Sequence, residues 1–142
     1  MSMNARKLAR YLGELESIYQ QSVNLTFNYE NVLILINQVR SEPRPIGFDH
    51  NYINITETQL YTDHQNLMLE LNALRVKLNS FNGRTLVDSD YMPMLVLGEE
   101  LSNWSDNYTR SIVVSAINVV NHVQDTYAFY NQQQLQAGAI NV

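Results

Sequence analysis

Residues Leu101–Tyr130 read LSNWSDNYTRSIVVSAINVVNHVQDTYAFY, and this stretch decides the fold class. Its apolar side chains recur at helical spacing and cover roughly half of the helix circumference, at about 100° per residue. They are Leu101, Tyr108, Ile112, Val113, Ala116, Ile117, Val119, Val120, Val123 and Tyr130. An arc this wide needs more than one neighbouring element to cover it, so the rest of the chain is expected to pack around this helix.

The valines and isoleucines in the middle of this stretch would also suit a β-strand. The polar residues exclude that interpretation, because they recur every three or four positions instead of alternating. They are Ser111, Ser115, Asn118, His122 and Asp125. The stretch is therefore predicted to be helical throughout.

Two earlier segments have the heptad spacing of coiled-coil helices. Apolar residues at alternating spacings of four and three run from Tyr11 to Val39, with Ser22 as the exception, and the pattern recurs from Leu60 to Phe81. Heptad spacing held over several repeats is typical of long helices in bundles. We therefore predict an all-α fold, namely an elongated antiparallel three- to four-helix bundle with coiled-coil-like heptad seams.

Helix-breaking and capping residues suggest the boundaries within a single helical domain. Pro43 and Pro45 end the first helix, Thr56 and Gln59 have the spacing of a capping box for the second, and Gly83 ends it. The predicted order is a helix over about residues 4–40, a connection over 41–56, a helix over 57–81, a connection over 82–98, a helix over 99–136 and a loose tail over 137–142.

The composition favours a subunit of a larger assembly. Only 16% of the 142 residues are charged, and Asn and Gln carry much of the polarity. Amide groups cost less to desolvate than charges. Codon bias in an AT-rich genome would also enrich Asn, Ile and Tyr, so the composition leaves both explanations open. The net charge of −5 argues against nucleic-acid or anionic-membrane binding, and the lack of cysteine excludes disulfides and thiolate metal sites.

No residue pattern in the sequence indicates catalysis or a bound cofactor. The least favoured hypothesis is a helical-bundle metalloprotein. Its metal site would be built from His64, His122, Asp125 and His50. It lacks any Glu-x-x-His or His-x-x-x-His pair, and the stripe with His122 faces away from the main apolar arc. The paired carboxylates lie on no apolar face that would raise their pKa for acid–base chemistry. We therefore predict that the protein is not an enzyme.

Aromatic and methionine side chains supply the predicted interface, because both residue types suit partner contacts. The candidates are Trp104, Tyr108, Tyr127, Phe129, Tyr130, Tyr91, Met92, Met94, Phe48 and Tyr52. The segments 41–56 and 84–98, which hold five of these residues, are either caps on the core or interaction arms. The aromatic residues near the end of the last helix either form an interface or close the wide end of a bundle.

The function predicted from these features is structural. We expect an assembly protein that binds copies of itself or other structural proteins, and the most concrete expectation is a virion component of a phage head, neck or tail. The alternative is a small helical binding module, a chaperone or regulator that grips a partner helix. No apolar signal core and no membrane-spanning run is present, so the expected location is the virion or the cytoplasm, with no nucleic-acid or membrane partner.

Overall fold

The computed structural model describes residues 4–42 and 51–140. For Gln134 and for residues 136–140 it describes the backbone but not the side chains. Every element in these ranges is helical, which confirms the predicted all-α class. The elements are α1 (Ala5–Thr26), α2 (Asn28–Ser41), α3 (Asn51–Asn79), a 3-10 turn (Asp88–Asp90), α4 (Tyr91–Tyr108), a π-helical segment (Thr109–Val114) and α5 (Ser115–Ile140).

Within the described ranges these elements form three rods that pack side by side. The first rod is α1 with α2, the second is α3, and the third is α4, the π segment and α5. Helix α1 packs on α4, α2 packs on α5, and α3 contacts the helices of both other rods. The first and third rods run in the same direction, because Tyr11 lies against Tyr91 and Ser22 bonds to Ser105. Helix α3 connects them and runs the opposite way.

A turn at Phe27 divides the first rod, which the sequence predicts as one helix. The Phe27 N–H bonds to the Asn24 carbonyl, and the Glu30 N–H bonds to the Phe27 carbonyl. The Glu30 N–H therefore skips Thr26, its partner in a regular α-helix. The Phe27 side chain is 62% exposed, so the turn places an aromatic ring in solvent while the core residues on either side stay buried.

Helix α3 begins at Asn51, before the predicted start at residue 57. The Thr56 hydroxyl bonds to the Tyr52 carbonyl at 2.9 Å, which is the bond of a threonine inside a helix and not of a capping residue. Residues 51–56 of the predicted connection are therefore helical, and residues 43–50 lie outside the described ranges. The end of the helix follows the prediction more closely, since Gly83 takes the left-handed conformation with φ +75°.

The third rod begins at Tyr91, so the predicted connection over 82–98 is too long. Asp90 fixes this start: its carboxylate accepts the Val87 N–H at 2.8 Å and two guanidinium bonds from Arg84 at 2.8 and 2.9 Å. The Arg84 hydrogen bonds, with the Val87 N–H, lower the pKa of Asp90 to about 2. Pro93 then occupies the first helical turn, where a missing N–H costs little.

Gly98 is a packing residue and not a helix boundary. A Cβ atom at this position would lie 3.1 Å from the Tyr11 hydroxyl and 3.3 Å from Leu15, so glycine lets α1 approach α4 closely. At the other end, α5 continues to Ile140, which corrects the predicted loose tail for residues 137–140. Residues 141–142 lie outside the described ranges.

Candidate functional site

A cluster of polar and aromatic side chains lies in the middle of the core, where all three rods meet. The Tyr108 hydroxyl lies 2.8 Å from His64 Nδ1 and donates to the Thr26 carbonyl at 3.3 Å. The His64 ring stacks on Tyr29, with centroids 4.1 Å apart and planes at 6°. Tyr108 is fully buried, and the turn at Phe27 leaves the Thr26 carbonyl free to accept its hydrogen bond. The Tyr108 hydroxyl therefore connects the third rod to Thr26 of the first rod and to His64 of the second.

Trp104 and Ser22 extend the cluster by one turn on the N-terminal side of Tyr108, towards α3 and α1 respectively. The Trp104 ring stacks on Tyr108 at 5.2 Å, and its Nε1–H donates to the Leu67 carbonyl of α3 at 2.8 Å. The Ser22 hydroxyl bonds to the Ser105 hydroxyl at 2.9 Å, which joins α1 to α4. Ser22 is the exception to the predicted heptad, and this bond explains how a serine fits there.

Burial keeps the side chains of the cluster in their neutral forms. Burial lowers the pKa of His64, so the ring is neutral at pH 7. Burial, and then the neighbouring Tyr29, raise the pKa of Tyr108 to about 12, so its hydroxyl stays protonated. When the Tyr108 hydroxyl donates to the Thr26 carbonyl, His64 Nδ1 is the donor in the bond to Tyr108. Among the described residues, no carboxylate bonds to His64.

The π segment shifts the register of the third rod by one residue directly after Tyr108. The buried residues before it follow spacings of three and four and are Met94, Leu97, Leu101, Trp104 and Tyr108. The same spacing continued beyond Tyr108 would bring the polar stripe of Ser111, Ser115, Asn118 and His122 into the core. The wider π turn instead buries Ile112, Ala116, Val120, Val123 and Tyr127. The Ser115 hydroxyl, bonded at 3.0 Å to the Arg110 carbonyl five residues back, satisfies part of this turn.

Protonation of His64 is expected to make stability depend on pH. Its folded pKa lies below the ordinary value of 6.5, so the unfolded chain binds the proton more readily. The stabilisation that the neutral His64 ring provides is complete above pH 6.5. It is lost as the pH falls from 6.5 towards the pKa of His64 in the folded protein. We expect a His64→Phe variant to lose much of the change in urea midpoint between about pH 7.5 and about pH 5.5. His122→Gln is the control, and an equal pH dependence in wild type and His64→Phe would contradict the assignment.

The structure buries four of the predicted interface residues, which corrects the prediction for them. They are Met94, Trp104, Tyr108 and Tyr127. Their large apolar surfaces fill the core between the rods, so no partner can reach them in the folded chain. Tyr91 and Tyr130 are half-buried, and Tyr52, Met92 and Phe129 are exposed, so these five still have accessible surface. Phe48 lies outside the described residues.

The histidines and acidic residues of the described ranges do not converge on one site. No group of three His, Asp or Glu side chains in the described part of the chain could hold a metal ion. His64 lies in the core cluster, whereas the His122 ring packs edge-on against Tyr52 at 5.7 Å. His50 lies outside the described residues.

A long exposed face of α3, opposite to the core, is the feature that the sequence analysis missed. We call it the outer face of α3. It consists of eight exposed residues at alternating spacings of three and four, and none of them is charged. They are Ile55, Thr58, Thr62, Gln65, Leu69, Asn72, Val76 and Asn79. Its three large apolar side chains are 64–70% exposed and lie one or two heptads apart along the helix.

Helix α5 has a second face of the same kind, which we call the outer face of α5. It begins in the π segment, and its members are all exposed and uncharged. They are Val114, Ile117, Asn121, Gln124, Ala128, Asn131 and Leu135. The signal for both faces was present in the sequence as single apolar residues among amides, but the strong core seams on the same helices obscured it.

Comparison with known proteins adds no relative to this description. No model of a protein family, no curated protein and no solved structure matches the chain. Among the helices of the described ranges, none combines the length and the apolar content that a bilayer crossing requires.

Proposed function

We propose that this protein is a non-enzymatic structural subunit of a larger assembly, which binds copies of itself or other structural proteins of that assembly. The observation that carries the proposal is the pair of long, exposed and uncharged outer faces on α3 and α5. A protein that functions alone gains solubility from charged helix faces. Uncharged faces with regularly spaced apolar residues lose little hydration energy when a partner covers them.

The proposal includes the architecture of the subunit. Three rods with buried residues at spacings of three and four support an elongated antiparallel bundle with coiled-coil-like heptad seams. At 1.5 Å per residue the third rod would be roughly 75 Å long. A rod of this shape exposes much surface along its length, which suits side-by-side contacts in an assembly.

Our concrete candidate for the assembly is a phage head, neck or tail, with the virion or the cytoplasm as the location. The amide-rich composition and the scarcity of charge support this class of protein. The identity of the neighbouring genes provides an independent check, because virion structural genes cluster with capsid or tail genes. Neighbours of an unrelated metabolic class would count against the virion candidate.

The self-association that this proposal requires can be measured directly. We expect light scattering at tens of micromolar protein to give a defined oligomer. Because the outer faces are uncharged, the association should change little between low salt and about 1 M salt. The control is the same measurement in dilute urea, where apolar association weakens before the fold is lost. A monomer at all concentrations would contradict self-assembly.

A groove between α2 and α3 favours the alternative function, a small module that grips a partner helix. The groove has a volume of about 430 Å³ and is lined by Tyr29, Leu33, Asn54, Glu57, Thr58 and Tyr61. The aromatic rings at its sides suit an apolar side chain from a partner. This function would be favoured if the protein is monomeric and captures an amphipathic helix.

A further inference from the structure

We propose that two copies of this chain pair through the outer face of α3, with the two helices parallel and in register. The inference rests on the proposed function and names the contact through which subunits first associate. It follows from the spacing, the residue types and the charges of that face.

The outer face has the geometry of a coiled-coil seam. The core side of α3 is formed by Ile53, Leu60, Leu67, Leu71, Leu74 and Leu78. The opposite side repeats the heptad over about 36 Å of helix, at 1.5 Å per residue. In heptad notation its a positions are Ile55, Thr62, Leu69 and Val76, and its d positions are Thr58, Gln65, Asn72 and Asn79. Ile55 and Val76 are β-branched aliphatic residues, which parallel two-stranded coiled coils prefer at a, whereas the four d positions are polar.

The order of apolar and amide residues selects the parallel orientation. In a parallel pair each residue faces its own copy, so Leu69 packs on Leu69 and Gln65 meets Gln65. Amide side chains both donate and accept, so each amide layer can bond to itself. An antiparallel pair would place a positions against d positions. Leu69 would then face an amide such as Gln65, and the buried amide would lack a partner.

The charged residues of α3 that pair with other helices lie away from this contact. Glu57 pairs with Arg40 of α2, and Lys77 pairs with Glu100 of α4 at 2.8 Å, so these charges join the rods within one chain. The positions that flank the seam on the α4 side are all uncharged and are Gln59, Asn66, Ala73 and Ser80.

The other flank also suits a parallel pair. It consists of Asn54, Tyr61, Met68 and Arg75. In the parallel register Met68 faces Ala73 of the second copy, and Arg75 faces its Ser80. No two like charges face each other across the contact, and Arg75 has a hydroxyl opposite, so pairing brings no like-charge repulsion.

Single-cysteine variants test the register, because the chain contains no cysteine. Under mild oxidation Gln65→Cys should form a covalent dimer through position 65 in both copies. Lys77→Cys, on the same helix but beside α4, is the matched control and should stay uncrosslinked. If mixed Gln65→Cys and Leu69→Cys form the mixed dimer in preference to either homodimer, the pair is antiparallel and the proposal is wrong.

Charge substitutions test the surface itself. Leu69→Lys should weaken self-association by about tenfold or more, because the ammonium group would be buried in the pair. Val96→Lys, at an exposed apolar residue of α4 that lies on neither outer face, is the matched control, and circular dichroism checks that both variants keep their helix content. If Leu69→Lys associates like the wild type, the α3 contact is overturned while an assembly role remains. If the wild type is monomeric at all concentrations, both proposals fail.

Discussion

Tyr108→Ala is expected to lower the free energy of unfolding by about 3–5 kcal/mol, the usual cost of removing a large buried aromatic side chain. Tyr108 is fully buried, stacks on Trp104 and holds the hydroxyl between His64 and the Thr26 carbonyl. The substitution removes the packing and also leaves two polar groups without their partner. Urea unfolding followed by circular dichroism at 222 nm measures the change.

Two variants separate the packing of Tyr108 from its hydrogen bonds. Tyr108→Phe keeps the ring and should cost about 1–3 kcal/mol, because the Thr26 carbonyl and His64 stay buried without the hydroxyl. Tyr61→Ala removes an exposed tyrosine, and its effect should stay within about 0.5 kcal/mol. Equal stabilities of Tyr108→Phe and the wild type would show that the hydroxyl contributes nothing to joining the rods.

Deletion of Arg110 is expected to preserve the fold, an unusual result for the loss of one residue from a long helix. Arg110 is exposed and lies in the π segment, which holds one residue more than an α-helical turn. Without it the segment can become regular α-helix while Ala116, Val120 and Val123 keep their positions in the core. We expect the free energy of unfolding to change by no more than about 1 kcal/mol.

Deletion of Asn121, which is exposed in α5, is the matched control. No extra residue is available there, so everything after it turns by about 100°. Val123 and Tyr127 then leave the core, at a cost of about 1.5–3 kcal/mol each. Equal losses in the two deletions would contradict the role of the π segment as the place where the register changes.

The sequence was sufficient to predict the helical class and most of the core. Spacings of three and four place Leu15, Ile36 and Leu67 on buried faces, and the structure buries all three. Local patterns were less reliable at the boundaries. The run from Met92 to Leu97 contains apolar residues on every side of the helix, so the sequence shows no helical period there. The predicted connection therefore extends to Gly98, which lies inside α4.

The π segment could have been predicted from the same residues that established the helix. The polar stripe from Ser111 to Asp125 continues the heptad of Leu101 and Tyr108, whereas the apolar residues from Ile112 onwards run one position later. A change of phase between two stripes indicates an inserted residue. The Phe27 turn has no such signal, because the heptad continues on both sides of it.

The candidate site depended on distances that the sequence cannot supply. Large aromatic residues suit cores and interfaces equally well, so spacing alone could not place Trp104 or Tyr127 in either. The bonds of Tyr108 join residues 44 and 82 positions away in the chain. Exposure of the outer face of α3 required knowing which side of that helix the other rods cover.

The turn at Phe27 and the π segment lie at the same height in the molecule, since the residues just before them, Thr26 and Tyr108, are hydrogen-bonded to each other. At that height two of the three rods lack regular α-helical hydrogen bonding, and only α3 passes through without interruption. We therefore expect α3 to be the helix that resists bending at that height. A second α3 alongside the first would add another uninterrupted helix at the height where the other two rods are interrupted.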